Sequence, residues 1–193
     1  MQLTSNIVEV NSEPQLSKYL PQLIELYKKV FAEPPEYQVW SSEKIREFFD
    51  SYLHNGHLFV AFDLEYEPIA FCAIVPFIKT KVWDSQVSDG NLTHTLNQEL
   101  LQDRFGIDVS DTWYIADLIV DAKYRRQGLA TELMKTAITG KQSVILRVSL
   151  CRESAIALYK KLGFNPMNLF QTAKYKQVNG GVKTFEKMLM LFN

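Results

Sequence analysis

Trp113-Tyr114-Ile115-Ala116-Asp117-Leu118-Ile119-Val120 is a β-prone apolar run broken by one carboxylate; it leads through Asp121-Ala122-Lys123-Tyr124 into Arg125-Arg126-Gln127-Gly128-Leu129-Ala130. Leu129, Leu133, Met134 and Ala137 then recur at helical spacing from Gly128 to Ile138. The reading is strand, basic turn, helix. A helix that opens on Gly and Ala offers unpaired N–H groups at the positive end of its dipole, and small residues let an anion approach the main chain. Lys123, Arg125 and Arg126 bring cations to the same place. The stretch is a candidate phosphate cradle, and its plain alternative is a solvated basic turn whose glycine eases helix packing. GxxxxGK[ST] and GxGxxG are both absent, so neither a P-loop nor a Rossmann cradle is indicated.

Downstream, Val144 to Val148 reads as a strand. Ser154 to Leu162 reads as a helix with Ala155, Leu158, Tyr159 and Leu162 on one face, stopped by Gly163. Leu169 to Tyr175 and Val182 to Phe192 make a closing hairpin around Asn179-Gly180-Gly181. Upstream, Leu58 to Phe62 and Ile69 to Phe77 form a hairpin across the turn Asp63 to Pro68. Before them come a short strand at Ile7, Val8 and Val10, a helix from Leu16 to Phe31 interrupted near Pro21, and a second helix. That second helix is capped by Ser41 or Ser42 and stopped at Asn55-Gly56. Residues 79–112 are polar, with one short helix from Leu96 to Phe105, and read as an insertion or lid. No repeat or linker divides the chain, so the expectation is a single mixed α/β domain over 1–193.

The 193 residues are 47% hydrophobic, 22% charged and 12% aromatic, enough for a folded core and too apolar for wholesale disorder. Lys plus Arg number 21 against 22 Asp plus Glu, so net charge attracts neither nucleic acid nor an anionic membrane. Cys72 and Cys151 form no CxxC pair, which argues against a zinc ribbon, a redox motif or a disulfide scaffold and suggests a reducing cytoplasm. No signal peptide is legible from Met1 to Asn6. The longest apolar stretch, Pro68 to Ile78, falls short of the roughly 18 residues that mark a membrane helix. His54 and His57 lack further ligands at a recognised metal spacing, so no metal is expected.

Arg125-Arg126-Gln127-Gly128-Leu129-Ala130 resembles the Q/R-x-x-G-x-G/A signature of the GCN5-related N-acetyltransferases. Ala155-Ile156-Ala157-Leu158-Tyr159-Lys160-Lys161-Leu162-Gly163-Phe164 resembles that family's A-x-x-L-Y-x-K-x-G-F motif. The order of the two, a strand before the first, and the elements around them are similar to the family over nearly the whole chain. The resemblance implies a central, mostly antiparallel, splayed sheet flanked by helices, with acetyl-CoA as donor and an amine as acceptor. It also implies a phosphate loop of Arg125, Arg126, Gln127, Gly128, Leu129 and Ala130, and a pantetheine arm paired with the main chain of Leu118, Ile119 and Val120. Pantetheine carries amides, which suit a strand whose neighbour has parted from it.

An attacking amine must lose a proton and the departing thiolate gains from receiving one. Asp117, alone in an apolar strand, is the candidate base, and burial would raise its pKa toward a useful range. The string around it also resembles a strand and loop of type I aminoglycoside 3-N-acetyltransferases. A carboxylate that merely pins a bulge or pairs with a cation is the alternative. Tyr159 matches the family tyrosine that protonates the leaving sulfur, against the alternative of a core aromatic. Arg152 stands where the family often has Asn, which puts that cofactor contact in doubt. Cys151 has no nearby His and reads as a small buried residue. The resemblance places the acceptor by Glu33-Pro34-Pro35-Glu36-Tyr37-Gln38-Val39-Trp40; Glu33, Glu36, Tyr37 and Trp40 would bind an amine, or the aromatics would plug the core. The expectation is a small-molecule N-acetyltransferase acting by direct attack, with no nucleic acid or membrane partner and with homodimer formation left open. The alternatives are a non-catalytic acyl-CoA-binding regulator and a protein-lysine or N-terminal acetyltransferase.

Overall fold

Leu16, Leu20, Leu23, Ile24, Leu26, Tyr27 and Val30 are the buried face of a nineteen-residue helix, α1 (Glu13–Phe31). Pro21 sits inside it without ending it. An interior proline costs about 3 kcal/mol, whereas burying each large apolar side chain contributes roughly 1.5–3 kcal/mol, so packing of the apolar face overrides the expected interruption. These elements belong to a computed structural model that describes residues 6–193. The N-terminal stretch read for a leader lies almost wholly in residues 1–5, outside the described residues.

The described residues form nine strands and five α-helices in a mixed α/β fold, and the chain divides into two compact units. The first unit takes the residues up to Ile74, Ala116–Thr139 and Tyr175–Val182. In it, β1 (Asn6–Val10) pairs antiparallel with β2 (His57–Phe62), and β2 with β3 (Pro68–Pro76), with Val8 opposite Val60 and Val60 opposite Phe71. Ser41 caps α2 (Ser42–Asn55), its hydroxyl accepting the Lys44 N–H at 3.2 Å. The ring of Phe71 meets Tyr27 of α1 at 6.4 Å and Phe49 of α2 at 5.1 Å, so one strand residue seats both helices. Phe71 and Phe49 are wholly buried. The second half of β6 (Thr112–Val120) and the helix α4 (Leu129–Ile138) complete this unit's regular structure.

The second unit takes Val75–Ile115, Gly140–Lys174 and Lys183–Asn193. The first half of β6 pairs in parallel with β7 (Ser143–Ser149), from Thr112 opposite Ser143 to Ile115 opposite Leu146. β7 pairs antiparallel with β9 (Val182–Phe192), from Val144 opposite Phe192 to Ser149 opposite Lys187. The strand order continues β9-β8-β4-β5, with β8 (Asn165–Lys176), β4 (Gln86–Ser88) and β5 (Thr93–Thr95). α5 (Glu153–Lys161) precedes β8. Residues 79–112, read from sequence as an insertion or lid, hold the β4–β5 hairpin and α3 (Gln98–Phe105), and the hairpin joins β8 where Ser88 lies opposite Phe170. Three-residue strands are too short to show alternation, which is why only the helix of this segment was legible.

Candidate active site

β6 leaves its parallel ladder with β7 after Ile115 and continues through Ala116–Val120. Asp117 is the second residue of that continuation and is half-buried. Tyr52 of α2 donates its hydroxyl hydrogen to Asp117 Oδ2, and the phenol of Tyr27 on α1 lies near enough to feel the charge of the same carboxylate. Burial pushes the Tyr27 phenol well above its usual range, and the negative charge of Asp117 pushes it further, with smaller contributions from Tyr175 and Glu36. Burial, and then Asp117, likewise push the Cys72 thiol up, so it stays a protonated thiol. Two neutral phenols from two helices thus converge on one strand carboxylate. Neither tyrosine was singled out from sequence, because each lies on the apolar face of its helix; the available signal is that a buried phenol needs a partner.

The turn after β6 leads into a helix start with no side-chain cap. Asp121 caps a 3-10 turn, Ala122–Tyr124, by accepting the Lys123 N–H at 3.0 Å. Arg126 (φ 64°) and Gly128 (φ 92°) adopt left-handed conformations, which the glycine takes without strain. Gly128 is the N-cap of α4, and no side chain caps that helix, so its first N–H groups are presented by main chain alone. Gln127 spans the turn, donating to the Lys123 carbonyl at 3.2 Å. Arg125 donates from Nε to the Val120 carbonyl at 2.9 Å and pairs through Nη1 with Glu33 at 2.6 Å.

The loop between α1 and α2 is fastened to the β8–β9 connection: Val39 N–H donates to the Lys176 carbonyl at 3.0 Å, and Val178 N–H to the Tyr37 carbonyl at 2.9 Å. Gln38 and Gln177 form the bridge between these bonds. Glu36 is only 4% exposed, whereas Tyr37, with φ 49°, is 44% exposed. Trp40 packs its ring near Tyr27, Phe48 and Tyr175, at 6.1, 5.4 and 5.7 Å. Trp40 is half-buried among these rings.

The model of the "Acetyltransferase (GNAT) family" matches residues 20–164. The chain belongs to that family. Among curated relatives, N-alpha-acetyltransferase 30 of Xenopus laevis is 45% identical over 56 residues, 26% of this chain and 20% of the relative. The chain therefore matches about a fifth of that relative's length. Arabidopsis thaliana NAA60, solved in complex with acetyl-CoA, superposes with a TM-score of 0.64 over 98% of each chain at 20% identity. A phosphinothricin acetyltransferase from Sinorhizobium meliloti, solved with AcCoA, superposes with a TM-score of 0.64 over 98% of this chain and 88% of that one, at 14% identity. At such identities these two are likenesses of fold.

Within this GNAT chain, the first unit contains Asp117, Glu33, Glu36, Tyr37 and Trp40, the loop Arg125, Arg126, Gln127, Gly128, Leu129 and Ala130, and Leu118, Ile119 and Val120. Tyr159 lies in the second unit, on α5, buried, with its ring 6.0 Å from Phe164. Cys151 is exposed, contrary to its reading as a buried residue, because it sits in the turn that follows β7. Among the described residues, no group of three or more His, Cys, Asp and Glu side chains is placed to hold a metal. No helix among them is long and apolar enough to cross a membrane.

Proposed function

We propose that this chain is an acetyl-CoA-dependent N-acetyltransferase that passes the acetyl group directly to the primary amine of a small molecule in the cytoplasm. The observation that carries the proposal is the carboxylate of Asp117, held by the Tyr52 phenol beside Tyr27 on the stretch of β6 that has left its ladder and feeds the uncapped start of α4. The main chain from Arg125 to Ala130 holds the diphosphate of coenzyme A, and the main chain of Leu118, Ile119 and Val120 pairs with the pantetheine amides. The amine nitrogen attacks the thioester carbon; the N–C bond forms and the C–S bond breaks. Asp117 takes the proton the amine loses, directly or through one water, and the Tyr159 phenol gives a proton to the departing thiolate. The products are an acetamide and the free thiol. Both cysteines are free, which fits a reducing compartment.

A small acceptor is favoured by the three-residue fastening of the α1–α2 loop to the β8–β9 connection, which closes that side with backbone hydrogen bonds. The second reading, a peptide N-terminus, draws support from the local 45% match to N-alpha-acetyltransferase 30. The test is an acetyl-CoA turnover screen over aminoglycosides, polyamines, amino-acid derivatives and short peptides, with the mass of each product measured. Acetylation confined to peptides would replace the small-molecule reading. Acetyl-CoA binding with no product from any class would leave a non-catalytic acyl-CoA-binding protein.

A further inference from the structure

The end of α1 and the turn after β6 meet through two ion pairs of opposite sense. Lys29 Nζ lies 2.6 Å from Asp121 Oδ2, and Glu33 Oε2 lies 2.6 Å from Arg125 Nη1. On each segment the two charges are four residues apart, cation before anion on one and anion before cation on the other. A slip of four residues would set Lys29 against Arg125 or Glu33 against Asp121, so like-charge repulsion excludes the wrong register. Asp121 is itself fixed: its N–H donates to the Ile69 carbonyl at 2.9 Å, and its other oxygen accepts the Lys123 N–H.

We infer that Arg125 is a positioning residue for the acceptor loop, acting through Glu33, and that its side chain is not a ligand of the cofactor's diphosphate. The inference rests on the acetyltransferase reading above, because it assigns roles within that site. Arg125 spends its Nε on the carbonyl of Val120 and its Nη1 on Glu33, so its planar fork spans from the end of β6 to the segment that carries Glu36 and Tyr37. Three of its five N–H groups stay open, but swinging the side chain away toward a phosphate would break both bonds and leave the Glu33 carboxylate, whose side chain is 23% exposed, without its cation. Lys123 and Arg126 are exposed on the same turn and supply the mobile cations that an incoming diphosphate needs. The charge on Arg125 is therefore read by the amine, through the placement of the α1–α2 loop.

The test compares Glu33→Gln, Arg125→Gln and the double variant in the full-length chain. Calorimetry with coenzyme A gives the cofactor Kd, and steady-state rates with the amine turned over fastest in the screen separate KM from kcat. The expected result is a rise in acceptor KM of about five- to tenfold in each single variant, with the double variant no worse than either. The Kd for coenzyme A and kcat should stay within about twofold. A diphosphate ligand would behave differently: Arg125→Gln would weaken coenzyme A about tenfold or more, while Glu33→Gln, which frees the guanidinium, would leave that affinity intact or tighten it. That pattern, or an unchanged acceptor KM in Glu33→Gln, overturns the inference. Should Arg125→Gln fail to fold, Glu33→Gln decides alone, since it keeps the arginine. Failure of the wild-type chain to bind coenzyme A would count against the acetyltransferase reading itself. The ion-pair strut would then still be legible as faster hydrogen exchange over residues 33–40 in Glu33→Gln.

Discussion

Asp117 in the first unit and Asp89 in the second are both half-buried, so exposure does not separate them; their donors do. Asp89 Oδ1 accepts the N–H groups of Asn91 at 3.0 Å and Leu92 at 2.8 Å, while Oδ2 meets His94 Nε2 at 2.8 Å and Arg104 Nη2 at 3.1 Å. These partners, the Leu92 N–H first and the His94 side chain next, hold its carboxyl well below the usual carboxylate range. Such a group is a pin for the β4–β5 turn. Asp117 takes a hydrogen bond from the Tyr52 hydroxyl and lies beside the Tyr27 phenol; both are neutral, come from side chains on separate helices and can give way to an ammonium. A carboxylate tied by backbone and cations serves the scaffold; one tied by a neutral phenol is the candidate proposed for proton transfer.

The strongest way to break that contrast is Asp117→Asn. It should lower turnover at saturating amine by about 10²- to 10⁴-fold while the Kd for coenzyme A, read by calorimetry, changes little. Unaltered turnover across the pH range would remove Asp117 as the base and leave it a structural carboxylate like Asp89. Tyr159→Phe comes next. The ring and its packing on Phe164 survive and only the phenolic proton is lost, so kcat should fall by about 10- to 100-fold with the melting temperature nearly unchanged. Normal turnover from the folded variant would reduce Tyr159 to a core aromatic.

Local signals made most of the fold legible. The caps at Ser41 and Gly128, the hairpin turn at Asp63 and the helical stripes each depend on residues close in sequence, and the elements fall within a few residues of the expected bounds. What escaped depends on distant residues. Pro21 reads as a break until the seven buried side chains of α1 are weighed against it. The ion pair of Glu33 is invisible in its own neighbourhood, because Arg125, at 2.6 Å, stands 92 positions away in sequence. Tyr27 and Tyr52 read as core because helical spacing reports which face a side chain occupies and cannot report what its hydroxyl touches. The reverse holds for Asp117: a carboxylate in an apolar strand conflicts with its surroundings, and such a local conflict can be seen without a fold.

Tyr52→Phe sharpens the comparison from the donor side. Removing this phenol should lower kcat by about tenfold through loosened placement of Asp117, an effect smaller than loss of the carboxylate itself because the base remains on its strand. If Asp117 were only a pin, Tyr52→Phe would lower the melting temperature and leave kcat untouched, so measuring both quantities on one preparation separates the two roles.

Asp89→Asn carries the smallest effect on activity, and for that reason it tests the contrast from the other side. Asparagine keeps an oxygen for the Asn91 and Leu92 N–H groups but loses the charge that faces His94 and Arg104, so kcat should stay within about twofold while the melting temperature at neutral pH falls. The pH dependence has a definite sign. The folded-state pKa of Asp89 is depressed below its unfolded value of about 3.9, so the stability it contributes is fully present above that value and is lost as pH falls through it toward the folded pKa. The gap in melting temperature between the wild-type chain and Asp89→Asn should therefore be widest near pH 7 and should narrow below about pH 4. Thermal denaturation of both proteins at those two pH values checks it, and a gap that widens in acid would mean that the charge of Asp89 does not stabilise this turn.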